Sequence, residues 1–343
     1  KGLNETDIGE LATTQVSALT ATQLGGLTAT GVSAMADTQL AVLDATQIKG
    51  LTTTQVAGLS ATNVGNLADT QVAALTLLQL ASLTPTNVSA LNATQVGALS
   101  TTQVKGLTNT QLKGLSTTDI GELSATQVGA LTTSQVTAFA TTALQALSTT
   151  QVTALSASQL GALTATSFSA LVDTQVAALS TTQVKGLTTS QLAGLSTTDV
   201  SELLDTQIGA LSTTQLAAMT ATNVSALNAT QTAALSATQI KGLTATQVKG
   251  LSGTDIGELA DTQVAALTTS QVQALTATVI DGLTTTQVGS LQGTQLAALT
   301  TTQLDSLSTT NISAMTTTQA SALTATQVQS LSNDQIVAYL GAS

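Results

Sequence analysis

The side chains best suited to chemistry in this chain are carboxylates. Asp199, Glu202 and Asp205 are spaced i, i+3, i+6, and Asp255, Glu258 and Asp261 repeat that spacing. Shorter versions occur at Asp7 and Glu10 and at Asp119 and Glu122. Clustered carboxylate oxygens are the usual ligands of calcium. Neither an EF-hand loop nor a Gly-Gly-x-Gly-x-Asp run accompanies them. In the competing structural reading, Asp replaces a helix-capping residue and Glu decorates the surface. The expectation is that neither a metal nor any other cofactor is needed.

What is missing narrows the chemistry further. The chain has 343 residues and no His, Cys or Trp, and its seven basic residues are all Lys. There is therefore no imidazole base, no thiolate nucleophile, no ordinary zinc or haem site and no disulfide. A net charge of -11 without Arg argues against nucleic-acid partners, because phosphate contacts need clustered basic side chains. No run of 18 apolar residues is present, so no membrane-inserted helix is expected. An enzyme is not expected.

Two further patterns have bland explanations. Thr pairs such as Thr28 and Thr30 or Thr244 and Thr246 resemble the threonine arrays of some ice-binding solenoids, but the first Thr of each pair is needed as a cap. The triplets at Asn87, Asn92, Asn223, Asn228 and Asn311 match the N-glycosylation pattern. They fall at fixed repeat positions, which a Thr-rich repeat generates by chance.

The elements that carry these residues follow from a repeat of eight. Leu, or a large apolar substitute, recurs from Leu3 to Leu331 without insertion or deletion, which gives (331 − 3)/8 + 1 = 42 octads. Tyr339 opens a partial repeat, 339–343. The consensus is Leu-(Thr/Ser)-x-Thr-Gln-(Val/Ile/Leu)-x-(Ala/Gly), with Leu as the first position. One continuous helix cannot use this pattern, because eight residues leave an offset of about 80° per repeat. A strand cannot either, because the first and sixth positions would face opposite sides.

A short helix restarted in every octad fits. In Leu99-Ser100-Thr101-Thr102-Gln103-Val104, Ser100 is the N-cap and Gln103 completes a capping box. Leu99 and Val104 flank them as a hydrophobic staple. The only proline, Pro85, follows the cap Thr84 as the first helical residue. Asp at the third position and Lys at the seventh complement the helix dipole. Such helices are too short to persist alone, so octads must stack. The expected fold is an all-α solenoid, an elongated rod over 3–338, with Leu99, Val104, Leu107, Leu163, Phe168, Leu243 and Val248 in its core.

A longer period overlies the octad. Seven-octad units occupy 11–66, 67–122, 147–202, 203–258 and 259–314, with three extra octads at 123–146. Duplication accounts for this period, and it places Lys and acidic residues at regular intervals along the outside. Octads per turn cannot be read from the pattern.

The array resembles the Leu-Thr-x-x-Gln-Val-x-Ala octad arrays of very large bacterial secreted or cell-surface proteins, usually regarded as adhesin-like or matrix proteins. That resemblance implies an extracellular or cell-surface location and a structural role in a fibre, surface layer or biofilm matrix. The alternative role is an adhesin stalk or a Thr-rich module that binds glycans or ice. The expected partner is the chain itself, joined end to end or side by side.

Overall fold

The computed structural model describes residues 3–342. The chain divides into two compact units, Lys1–Ala178 and Leu179–Ser343. Each is built the same way, and the described residues contain 42 short helices, one per octad, and no strand.

The local motif is the one the octad predicts. In the first unit, the helix Thr101–Gly106 starts after Ser100, which has φ −67° and ψ 157°. Ser100 Oγ accepts the Gln103 backbone N–H at 3.2 Å, and Gln103 Oε1 accepts the Ser100 N–H at 2.9 Å. The helix ends because Leu107 returns to extended backbone, its N–H held by the Val104 carbonyl at 3.2 Å. Leu and the next cap thus form a two-residue extended link between helices. The second unit repeats this at Ala237–Gly242, capped by Ser236 and closed by Leu243.

Five octads lack a polar cap but carry Asp as the first helical residue: Ala36-Asp37, Ala68-Asp69, Val172-Asp173, Leu204-Asp205 and Ala260-Asp261. With no cap side chain to accept it, the third helical N–H turns to the cap carbonyl instead, as in Gln71 to Ala68 at 2.9 Å and Gln207 to Leu204 at 3.0 Å. Asp69 and Asp205 accept the next backbone N–H at 2.8 and 2.7 Å. The carboxylate stands in for the missing cap at the positive end of the helix.

Within each unit the chain coils, and each helix packs on the third helix after it. The coil buries Leu99, Val104, Leu107, Leu163 and Phe168 in the first unit, and Leu243 and Val248 in the second. Apolar burial of this kind contributes about 1.5–3 kcal/mol per large side chain and is what holds these short helices in place. The first turn differs: Leu3 is exposed, and Leu11, Leu19 and Leu27 are half-buried.

No described residue has a positive φ, so the glycines of the eighth position do not serve a left-handed turn. They serve close approach. A Cβ on Gly50 would lie 2.5 Å from the Ala21 Cβ, and one on Gly114 would lie 2.6 Å from the Pro85 Cβ. The last octad and residues 339–342 share one helix. Leu340 stands where a hydroxyl cap belongs, so no new helix starts and the last one runs on as Asn333–Ala342.

Candidate functional site

The recurring chemical feature of both units is the fifth position. Gln there has two ends and uses both. Its oxygen closes the capping box, as expected from the sequence. Its amide nitrogen, to which the octad consensus assigns no partner, reaches the preceding turn of the coil. Gln111 Nε2 donates to the carbonyls of Leu80 and Leu83, both at 2.8 Å. In the second unit, Gln247 Nε2 donates to Leu216 and Met219 at 2.7 and 2.8 Å. Both Gln side chains are buried.

These bonds set the pitch in residues. The acceptors lie 28 and 31 residues before the donor, so a turn takes about 28 residues, and 28/8 = 3.5 octads. The half-octad explains why a neighbouring turn offers the end of one helix and the start of the next link. It also gives the seven-octad period a structural meaning, because seven octads make two turns, after which a residue returns to the same side.

Glu would close a capping box as well as Gln does, yet no fifth position is Glu. A carboxylate there would face two carbonyl oxygens in a buried joint, which is repulsive and desolvated. The frequent choice of Gln, and never Glu, was the signal in the sequence for this second job.

The acidic octads break the rule in a defined way. Asp119 replaces Gln, and its carboxylate accepts the Ser116 N–H at 2.7 Å, so the cap survives. Asp cannot donate, however, and a hydroxyl from the preceding turn donates to it instead: Ser89 Oγ lies 2.6 Å from Asp119 Oδ2. In the second unit, Ser225 Oγ donates to Asp255 in the same way, and Asp255 accepts the Ser252 N–H at 2.7 Å. Each of these Ser residues stands 30 residues before its Asp.

These carboxylates are the calcium candidates of the sequence. Asp199 accepts the Ser196 N–H at 2.7 Å, as Asp255 does that of Ser252. Asp205 and Asp261 are exposed first-turn residues, whereas Glu202 and Glu258 are half-buried at helix ends. Among the described residues, no three His, Cys, Asp or Glu side chains are grouped to hold a metal ion. The buried Oε2 atoms of Glu122 and Glu258 accept no hydrogen bond. Burial pushes the Glu122 carboxyl above its ordinary value, and the neighbouring Asp119 adds to this.

The other candidates are also absorbed by the fold. Ser100, Thr84 and Gln103 cap their helices, and Pro85 occupies the first turn. Asn87, Asn223 and Asn311 are buried and donate to Leu59, Leu195 and Leu283, so their amides are not presented to a glycosylating enzyme. Asn92 and Asn228 use their side-chain oxygens as caps. Thr28 and Thr30 bond one another at 3.1 Å. Beside Thr232, where a hydroxyl replaces the usual bulky sixth residue, the core holds a cavity of about 20 Å³ lined by Leu227, Leu235 and Leu251. That is room for one water and no larger ligand. No described helix is long and apolar enough to cross a membrane.

A known repeat matches part of the chain. The ALTTAQ repeat matches residues 107–141, a stretch that contains Ala130-Leu131-Thr132-Thr133-Ser134-Gln135. The chain is thus similar to a repeat protein over that segment, in keeping with its helical octads. No curated protein matches the chain significantly.

Proposed function

We propose that the chain is a structural protein that forms or spaces an extracellular fibre, surface layer or biofilm matrix at a bacterial cell surface, with copies of itself as its partners. The observation that carries this reading is the economy of the joint. In both units the cap hydroxyls and the fifth-position amides and carboxylates are spent on holding one octad to the next and one turn to the next. A coil of repeated joints can be extended by a further copy, and heterologous contacts that do not close generate filaments.

Negative-stain electron microscopy and light scattering of purified chain test this. Ordered polymers that grow with concentration are the expected result. Strictly monomeric particles at high concentration would overturn it and favour the adhesin-stalk alternative.

A further inference from the structure

Several large apolar side chains are exposed, among them Val42, Val172, Leu204, Val337 and Leu340, and one adjacent pair also breaks the position rule of the octad. Fourth positions are Thr or Ser throughout, except at Leu78 and Asp334. Leu78 is 75% exposed, and its neighbour Leu77 is 44% exposed. Neither is needed by the helix Leu77–Ser82, whose cap Thr76 and box residue Gln79 are in place. Leu77 packs over Gly106 of the next turn, where a Cβ would come within 3.0 Å of its Cδ2, whereas Leu78, the more exposed of the two, marks a contact surface.

Its surroundings define what it would contact. In sequence, Leu77 stands midway between Lys49 and Lys105, three and a half octads from each. That interval is one turn of the coil, so the Leu pair sits on one side with an exposed Lys one turn before it and another one turn after it. The distance between the two Lys positions is two turns.

The second unit carries the complement. Asp205 and Asp261 are exposed and are also two turns, or seven octads, apart. Midway between them, one turn from each, is the small exposed Ala233. Beside Asp205 stands Leu204, 45% exposed at a cap position that usually carries a hydroxyl. One edge is therefore positive, apolar and protruding at its centre. The other is negative, small at its centre and apolar at its margin, with the same two-turn spacing of charge.

We infer that the Leu77–Leu78 edge of one copy docks on the Asp205–Asp261 edge of a second copy, with Lys49 and Lys105 facing the two Asp residues and the Leu pair over Ala233. The two edges differ, so the contact is heterologous, and each copy keeps one edge of each kind for further neighbours. This rests on the self-association proposed above and names the surface that drives it. Central apolar side chains with a charged rim match how interface energy is usually distributed.

Sedimentation of the full chain at low and high salt tests the inference. The variant Leu77→Thr/Leu78→Thr restores polar residues at exposed positions and should weaken association about tenfold or more, since each 1.4 kcal/mol lost is a factor of ten. Lys49→Asp/Lys105→Asp should abolish association, and mixing it with Asp205→Lys/Asp261→Lys should restore it between the two variants. Circular dichroism would confirm that each variant keeps its helices. Association that ignores salt, the Leu changes and the charge exchange would overturn this surface while leaving a fibre in place. A wild-type chain that stays monomeric would overturn both.

Discussion

Two kinds of octad do the same work with different atoms. In the Gln103 octad, one side chain caps its own helix and donates to the Ala73 and Leu75 carbonyls at 3.2 and 2.9 Å. In the Asp255 octad, the cap is kept, but the link between turns is made by a hydroxyl that Ser225 sends forward from the preceding turn. The joint requires one donor and one acceptor at each crossing, and either turn can supply the donor. When Asp takes the acceptor role the pair is shorter and charge-assisted. The cost is a carboxylate in a place where Gln is neutral, with a Glu three residues later whose Oε2 is buried without a hydrogen bond.

Both kinds of joint rest on the same apolar core, and that core sets the largest effect. Leu163→Ala should destabilise its neighbourhood by about 2–5 kcal/mol, more than loss of either joint. Contacts run only between nearby turns, so hydrogen exchange should show the loss within a few octads. Loss of protection over the whole chain would show that the turns are coupled far more tightly than these joints allow.

The comparison can be broken at the hydroxyl. Ser225→Ala removes the donor to a charged, partly buried carboxylate and should cost about 2 kcal/mol. Ser201→Ala is the control. Ser201 occupies the same seventh position, but its hydroxyl bonds the Thr198 carbonyl of its own helix, so its loss should cost about 0.5 kcal/mol or less. Equal effects in chemical denaturation would remove the special role of the Asp octads.

The smallest effect is electrostatic and concerns Glu122. Its carboxyl is raised above the ordinary value of 4.5, mainly by burial and then by Asp119. The folded chain therefore holds this proton more tightly than the unfolded chain does. The penalty for ionising it is present above the raised value and fades as pH falls toward 4.5. Glu122→Gln should flatten that part of the stability–pH curve and raise stability at neutral pH. A curve unchanged by the substitution would place the carboxyl in water.

Much of this architecture is legible in the octad, because it is local. Ser100, Gln103, Leu99 and Val104 specify a cap, a box and a staple within six residues, and Pro85 marks the first turn. The pitch is not legible in the same way, because it depends on which carbonyls a Gln amide meets one turn of the coil away. Its trace was present in two places. One is the absence of Glu at the fifth position. The other is the Ser one turn before each of Asp119 and Asp255, at Ser89 and Ser225. The acidic residues look like ligands when read along the chain because i, i+3, i+6 is also the spacing of capping-box residue, helix end and next first turn. Leu78 carries no local signal beyond being wrong for its position, and only its exposure makes it a surface.

The central claim is that the fifth-position Gln joins successive turns as well as capping its helix. Hydrogen exchange of Gln103→Glu tests it most directly, since Glu keeps the capping oxygen and removes the donor. The prediction is lost protection both in Thr101–Gly106 and one turn earlier, around Ala73 to Leu75. Protection unchanged around residues 73–75, with the helix as stable as before, would show that Gln103 only caps, and would contradict the account.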